Sequence, residues 1–292
     1  MMVLFRGWVY SNLFVAMVLA SLAVSAYAVV PDLEFRWYVP LSVFLGSFVL
    51  YTFHRLYRID TIPKEQLGER HRWVLKRADL MKVAMSVAVF LLMIILPNFQ
   101  ADTVVWLVPA GIVSVGYTIP ILPTQHGWQR FRDIPLTKPL IISLVVTYLT
   151  LAYPLFEQFG IRAVADPIYF QLFVERFLFL MVVTIPFDMR DIVNDQDAGI
   201  QTLGTRFGFD RAKGIGVIVG VAWFASVAMQ LLVLEWSLEK IISAAIILGF
   251  VALGYSTMKE SWKDLQYIFV FEGLILVHSG VHTLASMIQT VP

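Results

Sequence analysis

The sequence predicts an all-α integral membrane protein with about nine transmembrane helices. Two observations carry that prediction. Hydrophobic residues make up 59% of the 292 positions and charged residues only 15%, too little polar material to cover a water-soluble body of this size. Apolar stretches near 20 residues recur from one end of the chain to the other, and about 20 apolar residues in a helix cross roughly 30 Å of hydrocarbon. Each stretch must be helical, because lipid offers no partner to backbone N–H and C=O groups. With a net charge of +1 and mixed signs in its loops, the chain has no basic face for nucleic acid. The absence of cysteine removes disulfides and thiolate chemistry.

In chain order, the predicted spans are 12–31, 37–57, 80–98, 102–122, 139–159, 169–187, 214–234, 239–257 and 267–288. The first is read as a retained helix, although Ala26-Tyr27-Ala28 has the small-residue spacing of a cleavage site. Trp8, Tyr10, Trp37 and Tyr38 stand at span ends, where aromatic rings anchor in the headgroup layer. No linker interrupts the spans, so residues 1–292 read as a single transmembrane domain, with polar loops near 58–79, 123–138 and 188–213. Lys and Arg crowd into these loops. The opposite loops hold little beyond Arg36, Arg162 and Lys240. Positive charge stays inside, which places the N-terminus and the large polar loops in the cytoplasm and the C-terminus outside. The setting expected is a bacterial or archaeal inner membrane.

The chemistry concentrates after the sixth span, in Asp188-Met189-Arg190-Asp191-Ile192-Val193-Asn194-Asp195. On a helix this spacing turns Asp188, Asp191 and Asp195 to one face. Three carboxylates that close repel unless a cation sits among them. Oxygen-only ligands select a hard ion such as Mg2+, which commonly shares its shell with substrate phosphates. The three aspartates are therefore candidate metal ligands and catalytic groups of a Mg-diphosphate site at the membrane edge. A solvated acidic loop is the plain alternative. Asp197, two residues beyond Asp195, is expected to face elsewhere.

The run continues through Gly199, Thr202, Leu203 and Gly208, giving Asp-x2-Asp-x3-Asp-x3-Gly-x2-Thr-Leu-x4-Gly. This pattern resembles the second aspartate-rich motif of the UbiA superfamily of intramembrane prenyltransferases. The resemblance implies a helical bundle around a central, lipid-open cavity with the acidic motif at its cytoplasmic mouth. It also implies Mg2+-dependent transfer of a prenyl group from an isoprenoid diphosphate to a hydrophobic or aromatic acceptor. The end of the second span is only partly similar to the family's first motif, usually Asn-Asp-x2-Asp-x2-Ile-Asp. Aligned on Ile59-Asp60, its Asn position holds Thr52, its first Asp holds Phe53 and its middle Asp holds Leu56. Asp60 is the carboxylate that remains, and it is a further candidate catalytic residue.

His54, Arg55 and Arg58 stand beside this altered motif. Arginine presents a planar fork that matches phosphate oxygens without a metal, so these three are candidate diphosphate ligands in place of one ion. Arg55 lies a turn inside the span end, where a charge is costly without a task. The resemblance adds Arg70 and Arg72 in the loop after the second span, and Arg132 and Lys138 in the loop after the fourth. Arg206 is within reach of phosphate from the acidic loop. Tyr117 resembles a family tyrosine near the cavity, and Glu272 falls where the family often has an acidic residue. Glu175 and Arg176 are read as snorkelling toward the outer interface. His278 and His282 share a helix face but lack a clear third metal ligand, so they are read as buried, hydrogen-bonded histidines. Isoprenoid cyclisation, diphosphate removal and non-catalytic isoprenoid binding are the competing functions.

Overall fold

Apolar side chains facing lipid and backbone bonds closed within each segment produce a helical bundle. The computed structural model describes residues 2–57, 68–125, 127–233 and 238–289, so Arg58 and Asp60 lie outside the described residues. Among those residues, six helical stretches are long and apolar enough to cross a membrane: Tyr38–Leu56, Ala78–Asn98, Lys138–Ala163, Pro167–Arg190, Phe209–Gln230 and Asp264–Met287. Three shorter apolar helices, Leu13–Val29, Ala101–Gly116 and Ile241–Thr257, fall on the other predicted spans. The chain is an integral membrane protein.

A short helix α1 (Met2–Tyr10) precedes α2 (Leu13–Val29), α3 (Tyr38–Leu56), the seven-residue α4 (Glu69–Leu75), α5 (Ala78–Ile95) and α6 (Ala101–Gly116). Asn12 breaks the first two in a left-handed conformation. Tyr10 is buried against Trp73 rather than anchored at an interface. The fourth expected span stops at Gly116, because the chain turns there toward a two-stranded hairpin, β1 (Leu122–Thr124) and β2 (Gly127–Gln129).

The fifth span is α7 (Lys138–Thr147), a wider π-helical turn (Tyr148–Ala152) and α8 (Tyr153–Phe159). Next come α9 (Pro167–Arg190), the short α10 (Ile192–Asp197) and α11 (Leu203–Phe207), then α12 (Phe209–Val233) and α13 (Leu238–Thr257). The last span is α14 (Asp264–Tyr267), a second π-helical turn (Ile268–Glu272) and α15 (Gly273–Gln289).

Helix α9 is central. It packs between α7 and α12, while α2 packs against α3 and α15, and α13 covers α15. Phe179, Leu180, Val182, Val183 and Ile185 of α9 are buried. By contrast α5 exposes Leu80, Val83, Phe90 and Met93, an apolar patch that would be a liability in water and is ordinary against lipid. The start of α9 is fixed locally. Asp166 accepts a 2.8 Å hydrogen bond from the Ile168 N–H, and Pro167 occupies the first turn, where its missing N–H is harmless.

Two buried ionisable residues overturn the snorkelling expectation. Arg176 is 1% exposed and donates to the Leu22 carbonyl (3.0 Å), the Thr150 carbonyl (2.7 Å) and Ser25 Oγ (3.0 Å). Glu175 accepts from Trp223 Nε1 at 2.6 Å. Their side chains point inward because neighbouring helices supply partners that a sequence cannot display. His278 stacks on the Phe179 ring at 4.3 Å and lies edge-on to His282 at 4.7 Å. Both histidines are buried, as expected, and His278 Nε2 faces Glu175 Oε1 at 3.9 Å, so ring packing and a polar neighbour together hold His278.

Asp166→Ala should lower stability by about 1 kcal/mol, the usual cost of losing a helix N-cap. Unfolding of the detergent-solubilised protein followed by circular dichroism checks this.

Candidate functional site

Repulsion among the motif aspartates is resolved by one lysine. Helix α9 ends at Arg190, Asp191 sits at the break with φ −91° and ψ 5°, and α10 begins at Ile192. The three carboxylates therefore do not lie on one continuous helix, yet they converge. Lys138 Nζ, at the start of α7, is 2.9 Å from Asp195 Oδ2, 3.3 Å from Asp191 Oδ2 and 3.6 Å from Asp188 Oδ1. All four side chains are largely buried, Lys138 at 8% exposure. Asp188 Oδ2 is buried with no hydrogen-bond partner. Among the described residues no three His, Asp or Glu side chains are set out to hold a metal ion directly; the aspartates surround an ammonium.

Arg190 completes the cluster. Its Nε and Nη2 grip Asp191 at 2.7 and 3.0 Å, and Nη1 reaches Asp264 Oδ1 at 2.8 Å. Burial works against a charged Asp191, but the Arg190 fork and Lys138 prevail and hold its carboxyl well below the usual carboxylate range. Asp191 is thus ionised throughout the physiological range.

The backbone of the motif is built for this convergence. Gly199 turns the chain at φ 68° after α10, a conformation open to glycine without strain. Gly204 lets α11 lie against the end of α9. A Cβ at Gly204 would fall 2.6 Å from Ile192 Cγ1 and 2.7 Å from the Asp188 carbonyl. Thr202 caps α11 by accepting from the Thr205 N–H at 3.3 Å.

The cluster stands at the polar end of a cavity of about 1370 Å3. Around this mouth the cavity is lined by His54, Arg55, Arg70, His71, Tyr117, Arg132, Lys138, Asp188, Arg190, Asp191, Asp195 and Glu272. Asp197 also borders it, contrary to the expectation that it faces elsewhere, although its side chain is exposed where that of Asp195 is buried. His54 Nδ1 bonds Thr118 Oγ1. Arg70 reaches Asn12 Oδ1 at 3.4 Å and Asp264 Oδ2 at 3.9 Å. The Arg132 guanidinium lies 5.9 Å over the Tyr117 ring. Deeper in, the walls become apolar, with Val18, Leu19, Leu50, Val145, Leu149, Leu180 and Ile275 among them.

Two sequence candidates are not brought here. Arg72 is exposed and absent from the cavity wall, because α4 turns Arg70 inward and Arg72 outward. Arg206 is also exposed; it lines a separate dent with Gln196 and Gln201 and lies over the Phe207 ring at 5.6 Å. Conversely, Arg190 and Asp264 were not singled out from sequence. Arg190 lies inside the motif itself, between two of its aspartates.

A caged anionic cluster with arginines around it stands above an apolar shaft in one intramembrane cavity. Solved structures with the same architecture exist. No protein-family model and no curated protein matches the sequence. A UbiA homologue from Aeropyrum pernix K1 superposes with a TM-score of 0.68 at 11% identity, over 94% of this chain and 98% of that one. A UbiA homologue from Archaeoglobus fulgidus bound to GPP and Mg2+ gives 0.66 at 14% identity, over 95% and 99%. A digeranylgeranylglyceryl phosphate synthase gives 0.57 at 12% identity, over 99% and 98%. The chain has the fold of the UbiA-type intramembrane prenyltransferases.

Gly204→Ala should destabilise the junction of α9, α10 and α11 by about 1–3 kcal/mol through overpacking, and loosen the aspartate cluster with it. Faster backbone hydrogen exchange over residues 188–205, with the remainder unchanged, is the expected readout.

Proposed function

We propose that this protein is an enzyme that transfers a prenyl group from an isoprenoid diphosphate to a hydrophobic or aromatic acceptor within the membrane, with Mg2+ as cofactor. The observation that carries the proposal is the convergence of Asp188, Asp191 and Asp195 on one cationic centre at the mouth of an apolar shaft. The fold supports it, since a neighbour with this architecture holds GPP and Mg2+.

The donor set suits a hard ion: it is all oxygen, it already gathers about a single cation, and it includes the unpartnered Asp188 Oδ2. Asp188, Asp191 and Asp195 would hold Mg2+, which would neutralise charge on the diphosphate leaving group. The chain's own residues do the rest. Arg55 and Arg70 also line the cavity and would bind phosphate oxygens, taking over the task of the carboxylates lost from the first motif. Lys138 balances the aspartates before substrate arrives and adds positive charge to the head site. Arg190, gripped by Asp191 and Asp264, fixes Asp191 in place. As the C–O bond to diphosphate breaks, the electron pair leaves with the phosphate and an allylic cation remains. Tyr51, Tyr117 and the aliphatic walls shelter it from water. The acceptor supplies the pair for the new C–C or C–O bond and loses a proton. In the membrane, the mouth would open to the cytoplasm and the C-terminus would lie outside.

The cation-rich wall also favours a second reading, in which the cation closes on its own chain or is quenched by water. Mass spectrometry of products formed without an acceptor separates the two.

Asp188→Ala or Asp195→Ala should abolish Mg2+-dependent turnover of geranyl diphosphate while preserving the circular dichroism spectrum; full turnover in either variant would remove the metal assignment. Arg55→Ala should weaken diphosphate binding by about tenfold, consistent with loss of a charge-assisted hydrogen bond worth about 1.5–3 kcal/mol. Unchanged affinity would return Arg55 to the membrane interface. Lys138→Met takes the ammonium from Asp188 and Asp195, while Asp191 keeps Arg190, and removing one partner from a buried ion pair costs about 3–5 kcal/mol. Its melting temperature should fall in EDTA, and Mg2+ should restore more of it than in the parent protein.

A further inference from the structure

The apolar shaft ends at a definite level. Its deepest lining residues include Leu19 on α2, Leu149 in the first π-helical turn and Leu180 on α9. Leu22 is one turn beyond Leu19, Thr150 is adjacent to Leu149, and Arg176 is one turn beyond Leu180. Those three positions are the ones joined by the Arg176 guanidinium, through the Leu22 carbonyl at 3.0 Å and the Thr150 carbonyl at 2.7 Å. The brace therefore lies about one turn or less beyond the deepest lining residues and ties the three elements that carry them together. Helix α2 also packs on the Tyr148–Ala152 turn, closing the space between them. The wide turn matters here: π-helical turns disturb the regular carbonyl ladder, and Thr150 offers its carbonyl to Arg176 rather than keeping it wholly within the helix. A charge at this depth is tolerated only while its partners are in place. An apolar tail passing this point would break those bonds and leave polar groups unpaired.

We propose that the Arg176 brace is the floor of the isoprenoid-tail site and limits the substrate to chains of about two to three isoprene units. The proposal rests on the prenyl diphosphate reading of the mouth. Lys138 and Leu149 are separated by eleven positions, about 16 Å at 1.5 Å per residue. With carbon–carbon bonds near 1.5 Å, an extended isoprene unit of four chain carbons spans about 5 Å. Three units fill the shaft, and a fourth meets the guanidinium.

The test compares geranyl, farnesyl and geranylgeranyl diphosphates with Mg2+, alongside the three matching free alcohols. Affinities for the purified full-length protein are read by calorimetry and native mass spectrometry. In both series affinity should hold from the geranyl to the farnesyl chain and fall at least tenfold at the geranylgeranyl chain. Arg176→Ala should remove that drop. Leu149→Trp, which fills the deepest turn and leaves the brace intact, should move the drop to the farnesyl chain and spare the geranyl chain. Equal affinity for all lengths in the parent protein, or an unchanged length profile in Leu149→Trp, overturns the proposal whether or not Arg176→Ala folds. A length limit among the alcohols without any Mg2+-dependent gain for the diphosphates leaves the floor standing and removes the reading of the mouth. Mg2+-dependent diphosphate binding without a length limit does the reverse.

Discussion

The structure depends on an electrostatic constraint at one end of the bundle: three carboxylates, mostly out of water, share one ammonium. Three charges of the same sign within a few ångströms of a common point have no stable arrangement without a counter-charge. Lys138 supplies it from α7, about fifty residues away in sequence, and so pins the start of α7 to the end of α9. Arg190 extends the network to Asp264 at the head of the last span. The polar end of the bundle is thus tied across three spans by charge-assisted bonds, whereas the interior is held by packing around α9.

At the other end, a second cation plays a comparable part with different partners. Arg176 bonds backbone carbonyls and a serine hydroxyl instead of carboxylates. The two cations bracket the apolar shaft, one at its polar head and one at its base. This arrangement separates a head-group environment rich in charge from a tail environment without any, which is the division an amphiphilic ligand requires.

Much of this was readable in the chain. Hydropathy located the helices because lipid admits so few alternatives. The motif spacing selected Asp188, Asp191 and Asp195, and they converge even though the helix breaks at Asp191. What could not be read was three-dimensional choice. Arg70 and Arg72 are two residues apart in a polar loop, and only the facing of α4 decides which one enters the cavity. Arg206 sits in the motif run yet points away, because the tight approach of α11 at Gly204 fixes its side. Arg176 looked like an interfacial residue, since nothing local shows that Leu22 and Thr150 offer carbonyls to it. The pairing of Arg190 with Asp264 leaves no local signal, since it joins segments more than seventy residues apart.

The second π-helical turn, Ile268–Glu272, links two acidic residues of the last span: Asp264, which pairs with Arg190 and Arg70 of the mouth, and Glu272, which lines the cavity. In an unbroken α-helix, residues eight apart differ in azimuth by about 80°, enough to turn one of them toward lipid. A π-helical turn acts as a single inserted residue, which reduces the difference to about 20°. The last span is therefore phase-shifted: one surplus backbone unit aligns both acids on the same face. Regularising that turn into plain α-helix without deleting a residue would restore the offset of about 80° and carry one acid out of register, with hydropathy and length untouched.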